Sequence, residues 1–469
     1  MATQHTLPEI DLDLIRKYTI RGPRYTSYPT APEWTESVGS DVFRKHIHET
    51  NSAEIRNPLS LYFHIPFCPK RCYYCACNVI VTPRPDVTNH YVDLLMREMD
   101  LVVPKIHPDR TVTQLHLGGG TPTHLTPPQL DRLLSGARNR FAIEENAEQS
   151  IEVDVRITND EHLHVLRQHG FNRISFGAQD FSERVQQAIG RIQTVERTEE
   201  FTGRCRDLGF DSMNIDLVCG LPFQTVESFQ DTITTILRLN PDRIAFYNYA
   251  YLPSKMPYQR RIDPSTLPSS DERFAIFRSA IERFTAGGYV YIGMDHFAKR
   301  HDELAVAQSN GTLQRNFMGL TTRAGTDLYA FGVSSISSLP RVYVQNTKNL
   351  RQYEQALDAG DFPIERGIEL TRDDRLRRWI IMELMCNLHL DFAQFNRKWN
   401  EHFNTYFKEE IASLTPFVED GLLEPDLTNG IRLTPLGQIV VRPIVMTFDA
   451  YLTKKQELSK QTPLFSQTL

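Results

Sequence analysis

From about residue 55 to residue 250 the sequence alternates six times between a short apolar run and an amphipathic stretch. The runs at 59–65, 113–117, 150–153, 173–178, 213–218 and 243–249 have strand length, and 89–103, 126–137 and 159–168 carry helical periodicity. Thr126-Pro127-Pro128-Gln129 reads as a helix start, with Thr126 as cap, Pro127 at the first helical position and Gln129 closing a capping box. Leu130, Leu133, Leu134 and Ala137 then form one apolar face, as do Phe229, Ile233, Ile236 and Leu237 in a later helix. Six such units predict a parallel sheet with crossover helices, either doubly wound or closed fully or partly into a barrel. Periodicity alone does not choose among these.

Polar and glycine residues narrow the reading. Cys68, the Gly118-Gly119-Gly120-Thr121-Pro122-Thr123 turn, Glu152 with Asp154, Gln179 with Asp180, Asp216 and Asn248 all fall near the C-terminal ends of predicted strands. In α/β folds that edge carries the active site. Each residue alone has a plainer role: Asp180 suits a cap, and glycines most often serve a tight turn. The glycine run would alternatively let backbone approach a ligand closely. It matches neither a Walker loop nor G-x-G-x-x-G, so nucleotide phosphates are not implied. Glu152 and Asp216 sit in strands and need partners if they face inward.

Four of the seven cysteines lie within Cys68-Pro69-Lys70-Arg71-Cys72-Tyr73-Tyr74-Cys75-Ala76-Cys77, spaced C-x3-C-x2-C-x-C. Thiols this dense point to a metal or iron–sulfur site. A zinc finger wants two separated pairs of ligands, and a thioredoxin-like C-x2-C has no use for Cys68. C-x3-C-x2-C resembles the signature of the radical S-adenosylmethionine enzymes, in which three thiolates hold a [4Fe–4S] cluster and leave one iron open. Tyr62 and Tyr74 flank the loop and could wall a cofactor pocket, although core packing explains such aromatics equally well.

With 469 residues the chain has room for one large domain and one or two smaller ones. The composition, 40% hydrophobic and 23% charged, is that of an ordinary globular protein. A net charge of −6 argues against general affinity for nucleic acid or anionic membrane. No apolar run reaches bilayer length, and the N-terminus lacks a signal-peptide core. The clustered, odd-numbered cysteines argue against a disulfide framework, and the expectation is a reducing, cytoplasmic setting.

Outside the βα array, Arg21-Gly22-Pro23-Arg24-Tyr25-Thr26-Ser27-Tyr28-Pro29 reads as an irregular segment. Composition favours a surface arm; its arginines could instead close over an anionic substrate. Gly293-Met294-Asp295-His296-Phe297 includes a His beside an Asp, for which a structural histidine is the expected role. Residues 299–312 read as an exposed helix and loop. Leu376, Ile380, Ile381, Leu384 and Met385 predict a helix, 392–414 adds an aromatic-rich helical pattern, and 421–424 with 430–435 resemble the wing of a winged helix. No basic stripe accompanies the wing, so it reads as a lid or packing domain. The expected segments are an N-terminal arm (1–52), a barrel domain (53–300), a connecting segment packed on the barrel (301–370) and a helical C-terminal domain (371–469).

Nearly all of residues 20–450 resembles the oxygen-independent coproporphyrinogen III oxidases. The match runs through PRYTSYPTA, HIPFC-x3-C-x2-C-x-CN, GGGTPT, IEVD, FNRISFGAQD, NIDLVCGLP, DRIAFYNYA, GMDHFA and TDL-x3-GVSSIS. Heme-chaperone relatives typically carry Phe where Cys77 stands, and a non-catalytic heme chaperone on the same scaffold is the alternative reading. The resemblance implies a partial (β/α)6 barrel of TIM type, an N-terminal arm, and a mostly helical, winged-helix-like C-terminal domain. It implies one [4Fe–4S] cluster on Cys68, Cys72 and Cys75, and two S-adenosylmethionine molecules. The first would meet Tyr62, Gly119, Glu152 and Ile336; the second would meet Tyr74, Gly120, Thr121, Gln179, Arg191, Asp216 and Ala250. Tyr62, Glu152 and the non-ligating Cys77 are the expected catalytic residues. The implied reaction converts two propionates of coproporphyrinogen III to vinyl groups through a 5′-deoxyadenosyl radical. A low-potential electron donor of unknown identity is required, and a monomer is expected. Arg21 and Arg24 are the candidate clamps for the substrate's carboxylates. Three positions depart from the family pattern: Val155 for proline, expected to loosen the loop after Glu152, and Cys219 and Leu320 for tyrosines, expected to widen or dry the substrate side.

Overall fold

The computed structural model describes residues 12–452. They form two compact units: Trp34–Gly287 with Gly325–Glu369, and the residues up to Glu33 with Gly288–Ala324 and Leu370 onward. The contiguous segments expected from the sequence follow a different division, because strand pairing joins parts of the chain that are far apart in sequence.

The larger unit opens with α1 (Ser40–Ser52) and then alternates: β1 (Leu59–Ile65), α2 (Pro85–Val102), β2 (Val112–Gly119), α3 (Pro127–Arg138), β3 (Ile143–Val153), α4 (Asp160–Gln168) and β4 (Arg173–Gln179). After α5 (Glu183–Ile189) and α6 (Val195–Asp207) come β5 (Ser212–Cys219), α7 (Val226–Leu239), β6 (Arg243–Asn248) and α8 (Ser270–Ala286). The later piece supplies β7 (Asp327–Phe331), β8 (Ile336–Leu339), β9 (Val342–Asn346), α9 (Leu350–Asp358) and β10 (Ile364–Glu369). Strands β1 to β6 pair in sequence order and all in parallel. This is the expected (β/α)6 run, and it stays open as a partial barrel. On its other side β1 takes β7 as a parallel neighbour, with Leu59 opposite Asp327, and β8 to β10 continue antiparallel.

Alternation within the strands explains the two faces. In β1, Leu59, Leu61, Phe63 and Ile65 are completely buried, while Ser60, Tyr62 and His64 point to the opposite face. The helices behave as their stripes require. Thr126 and Gln129 form the capping box of α3, whose Leu130, Leu133, Leu134 and Ala137 are buried. In α7, Phe229, Ile233 and Ile236 are buried, joined by Leu239, and Phe229 stacks on Phe246 of β6 at 5.1 Å. Each such side chain contributes about 1.5–3 kcal/mol by leaving water. At the opposite end from the strand C-termini, Arg110 Nη2 meets Asp327 Oδ2 at 2.6 Å, both side chains 1% exposed. Asn57 also donates to Asp327, and Arg110 donates further to Asn51 Oδ1 and Asn57 O.

In the smaller unit the predicted helix spans Arg372–Asn387 and buries Leu376, Ile380, Ile381, Leu384 and Met385. The aromatic-rich stretch forms three short helices, Phe392–Trp399, Phe403–Tyr406 and Lys408–Ala412; the first ends at Asn400, whose φ is +49°. The wing segments pair through Leu423 and Leu433, and Gly430–Arg432 also pairs with His389–Asp391. Two expectations are corrected. The helix Glu303–Ser309 is not an exposed one: Leu304, Ala305 and Ala307 pack with Ile292, Ala298, Leu313 and Cys386, despite the polar residues between them. The N-terminal segment is not a surface arm. Tyr25 and Tyr28 are buried, the Tyr25 hydroxyl donates to Asp449 at 2.8 Å, and Arg442 donates to the carbonyls of Gly22 and Pro23. No helix among the described residues is long and apolar enough to cross a membrane.

Candidate active site

The face opposite the apolar side of β1 is polar on strand after strand. Tyr62 and His64 of β1, His116 of β2, Ser150 and Glu152 of β3, and Asn214 and Asp216 of β5 follow the same two-residue alternation. These side chains bond to one another. Tyr62 stacks on His116 at 5.8 Å, and its hydroxyl lies 3.0 Å from His64 Nδ1. His116 Nδ1 is 2.6 Å from Ser150 Oγ, and its Nε2 is 3.7 Å from Glu152 Oε1. The Gly119 N–H donates to Glu152 Oε2 at 3.0 Å.

Packing accounts for the glycine turn. A Cβ on Gly119, whose φ is +115°, would lie 2.7 Å from the His64 ring; one on Gly120 would lie 2.8 Å from the backbone of Pro66 and Phe67. The strand end that leads into the cysteine loop therefore seats directly on the turn. Gly120 N–H donates to Ile65 O and Thr121 N–H to Phe67 O, both at 2.8 Å, and the Thr121 hydroxyl reaches Cys68 Sγ at 3.2 Å.

The rest of the loop is pinned from several sides. Tyr73 N–H donates to Ile189 O at 2.9 Å, Cys75 N–H to Cys72 O at 3.3 Å, and Cys77 N–H to Cys75 Sγ at 3.4 Å. The Tyr258 hydroxyl donates to Cys75 O and Arg71 to Val79 O. The Cys77 thiol donates to Cys75, which favours the Cys75 thiolate. Burial pushes the Cys68 thiol up to about 11, so loss of its proton needs a ligand that compensates.

The carboxylates divide into three environments. Enclosure pushes Glu152 up, but His116, the Gly119 N–H and His64 outweigh it and hold its pKa below the ordinary glutamate value. Burial, reinforced by Glu152, raises Asp216 to about 7, although Asn214 donates to it at 2.7 Å. Burial opposes ionisation of Asp154 as well, yet Arg156 and Arg191 bring it down to about 2. Arg191 is buried and also donates to Gly177 O at 2.8 Å and to Gln193. His64 is lowered by burial to about 4 and is therefore a neutral ring at pH 7.

Most residues named from the sequence come together here. Tyr62, Glu152 and Cys77 act on one another electrostatically, as do Asp216 with Glu152 and Arg191 with Tyr74 and Cys72. Gln179 takes a left-handed φ of +68° at the end of β4, and its side chain folds back over Gly177. Ala250 and Tyr74 are joined by Gln259, whose amide donates to both carbonyls at 3.2 Å. Ile336 opens β8; of the turn before it, Ser334 Oγ lies 3.4 Å from His64 Nε2, and no contact of Ile336 itself with the site is seen among the described residues. Asp180 is a buried staple rather than a cap, bonded to Ser182 N–H, Gln224 and Thr232. Arg21 and Arg24 belong to the other unit; there Arg24 and Arg315 lower Arg442, whose burial is the larger cause, to about 10.

Sequence reading missed His64, His116 and Gln259. For the two histidines the two-residue alternation was the available signal. Gln259 lies in irregular chain and had none. The three departures also resolve. The loop at Val155 is held by Asp154, which accepts from Arg156 and whose carbonyl accepts from the N–H groups of Ile157 and Thr158, so it is not loosened. Cys219 is fully buried with its thiol on Arg273 O, and Leu320 is partly buried against the Ile292 core.

A cluster fits this donor set. All four loop cysteines are free thiols, and among the described residues no three side chains of His, Cys, Asp or Glu are grouped as a single metal ion requires. Three thiols spread around one loop suit a polynuclear cluster better than a lone ion. Arg191 Nε and Asn78 Nδ2 are buried without a hydrogen-bond partner, as donors awaiting a ligand would be.

The Radical SAM superfamily profile matches residues 62–236, and that of the HemN C-terminal domain matches 370–440. An oxygen-independent coproporphyrinogen III oxidase of Escherichia coli is 45% identical over 450 residues, covering 96% of this chain and 97% of its own. One from Synechocystis sp. is 43% identical over 473 residues and covers both chains completely. The solved structure described as "Coproporphyrinogen III oxidase (HemN) from Escherichia coli is a Radical SAM enzyme" superposes with a TM-score of 0.90 at 44% identity, over 95% of this chain and 100% of that one. Identity at this level over the whole length makes this chain a member of the oxygen-independent coproporphyrinogen III oxidase family, within the radical SAM superfamily.

Proposed function

We propose that this protein oxidatively decarboxylates two propionate side chains of coproporphyrinogen III to vinyl groups without oxygen, giving protoporphyrinogen IX. The observation that carries the reading is the placement of Cys68, Cys72 and Cys75 on one loop at the strand C-termini, beside Tyr62, Glu152 and Cys77, in a chain that matches its family end to end. When bound, one [4Fe–4S] cluster and S-adenosylmethionine would supply the one-electron radical chemistry that hydrogen removal from a propionate requires.

The protein's own part is binding, orientation and charge. Cys68, Cys72 and Cys75 would hold the cluster, while Cys77 favours Cys75 as a thiolate. Glu152, ionised at neutral pH, offers a partner to the amino group of the first S-adenosylmethionine, with Tyr62, Gly119 and Ile336 around it. Arg191, whose Nε is unpartnered, suits a carboxylate of the second, with Tyr74, Gly120, Thr121, Gln179, Asp216 and Ala250 lining that place. The neutral ring of His64 fixes the Tyr62 hydroxyl without adding charge. Arg21 and Arg24 are the proposed clamps for the substrate's carboxylates, and Arg315 and Arg442 add to the cationic character around Arg24.

The test is anaerobic reconstitution with iron and sulfide, then dithionite, S-adenosylmethionine and coproporphyrinogen III. A divinyl product is expected; tight heme binding with no divinyl product would overturn the reading in favour of a heme chaperone. In the same assay Arg24→Ala should raise KM for the porphyrinogen and leave S-adenosylmethionine cleavage intact. An unchanged KM removes Arg24 as a clamp.

Asp216 gives a pH-dependent expectation. Its pKa of about 7 in the cofactor-free protein leaves it partly protonated at neutral pH. A cationic sulfonium nearby favours the carboxylate and lowers that pKa, so binding should release about half a proton at pH 7 and less as the pH rises. Calorimetry in buffers of different ionisation enthalpy measures this. The release should vanish in Asp216→Asn.

A further inference from the structure

The outer side of the cysteine loop carries cations that the proposed chemistry does not use. Lys70, exposed between Cys68 and Cys72, places Nζ 5.9 Å from the centre of the Tyr73 ring. Arg261, exposed and from a different segment, places its guanidinium 5.1 Å from the same ring, and its neighbour Arg260 is exposed too. None of Lys70, Arg260 and Arg261 forms an ion pair among the described residues. The acid nearest in sequence, Asp263, is engaged by Ser265 through both its N–H and its hydroxyl.

Tyr73 is held firmly beneath these cations. Its N–H bonds Ile189 O, and a Cβ on Gly190 would lie 3.1 Å from its ring. Two exposed apolar side chains adjoin the loop: Val81, 49% exposed, pairs opposite Cys68, and Ile192, 52% exposed, follows the Gly190 turn. Arg71 and Arg191 differ from the outer cations. The first is half-buried on Val79 O and the second buried on Asp154, where they can offset thiolate charge. A chain of net charge −6 repels acidic proteins on average, so an unpaired cationic patch over the cofactor loop is a local exception with steering value.

We propose that Lys70 and Arg261, set around Tyr73, with the exposed Arg260 next to Arg261 in the chain and Val81 and Ile192 alongside, form the docking surface for a small acidic one-electron carrier protein. The inference rests on the function proposed above, because reductive cleavage of S-adenosylmethionine consumes an electron from outside the protein. The reduced carrier is oxidised by one electron, which is consumed in breaking the carbon–sulfur bond. Three exposed cations are too few for a nucleic-acid footprint, which a longer basic stripe would mark.

The test uses the full-length reconstituted protein and a plant-type ferredoxin as the acidic probe, with dithionite as a reductant that needs no docking. Binding of oxidised ferredoxin should weaken steeply with salt in the wild type and fall about tenfold or more in Lys70→Glu/Arg261→Glu. The milder Lys70→Gln/Arg261→Gln should fall between the two. Dithionite-driven S-adenosylmethionine cleavage should be the same in all three proteins. Ferredoxin binding that is indifferent to salt, or equal in wild type and charge-reversed variant, overturns the proposal. Failure of the wild type to cleave S-adenosylmethionine with dithionite would instead overturn the proposed function, while the binding measurement still decides the surface.

Discussion

Cys72→Ala is expected to yield a folded protein with almost no iron or sulfide and no S-adenosylmethionine cleavage. Cys72 is one of the three proposed ligands, and the loop's fourth thiol, Cys77, is engaged with Cys75, so loss of Cys72 would leave two attachment points for a group that needs three. The fold should survive, because the loop is tied down independently through Tyr73 to Ile189 O, Tyr258 to Cys75 O and Thr121 to Phe67 O. Circular dichroism checks the fold, and iron analysis with visible absorption checks the cluster. Cys77→Ala is the matched comparison. Its thiol donates to Cys75 and is not among the proposed ligands, so iron should be retained, while turnover, for which Cys77 beside Tyr62 and Glu152 is a proposed catalytic residue, should be lost. Iron content in Cys72→Ala equal to that of the wild type would remove it from the ligand set.

The second large effect concerns stability. Arg110→Ala should cost about 3–5 kcal/mol, because it strands the Asp327 carboxylate at a site where both side chains are 1% exposed. That is a large part of the roughly 5–15 kcal/mol that holds a typical domain together. The measurement is the denaturant midpoint against pH. Burial already raises Asp327 in the wild type, with Asn57 and Arg110 opposing it. Without Arg110 the folded pKa rises further, so the penalty is full at neutral pH and shrinks as the pH falls and the carboxyl is neutralised. The gap between the two proteins should therefore narrow in acid. Arg110→Met/Asp327→Asn, which removes both charges, should recover most of the loss. A gap independent of pH would mean that lost packing, rather than a stranded charge, sets the cost.

The parts of this molecule that a reader can find in the sequence are those whose causes are local. The capping box at Thr126 and Gln129, the stripe of Phe229, Ile233 and Ile236, and the set of polar residues at strand ends all depend on neighbours within a turn or a strand. The cysteine spacing is local as well. What escaped has distant causes. Nothing near residues 327–331 says that they lie parallel to β1, because the pairing of Leu59 with Asp327 is visible only from the other end of the chain. Tyr25 and Tyr28 looked like surface residues because Asp449 and Ala450, which fix their hydroxyls, are more than four hundred positions away. Gln259 joins Tyr74 to Ala250 from irregular chain with no period to read. Cys219 and Leu320 stand at unusual places in the family pattern, and only their packing, full burial for Cys219 and partial burial against the Ile292 core for Leu320, is visible once the distant chain is folded.

The position of β1 between β2 and β7 also bears on how the protein is made. As the chain emerges from the ribosome, β1 to β6 and their helices can assemble in order, each new strand pairing with the last. β1 keeps one row of backbone donors and acceptors open all that time, since its second partner arrives only with residues 327–331. Asp327, which brings that strand in, also delivers the counter-charge for Arg110. The strand that leads into the cysteine loop is therefore finished late, by a contact of long sequence separation. Until then the nascent barrel has an unpaired edge on the strand that leads into the cysteine loop, and chaperone cover, or delayed metal loading, has a definite interval to span.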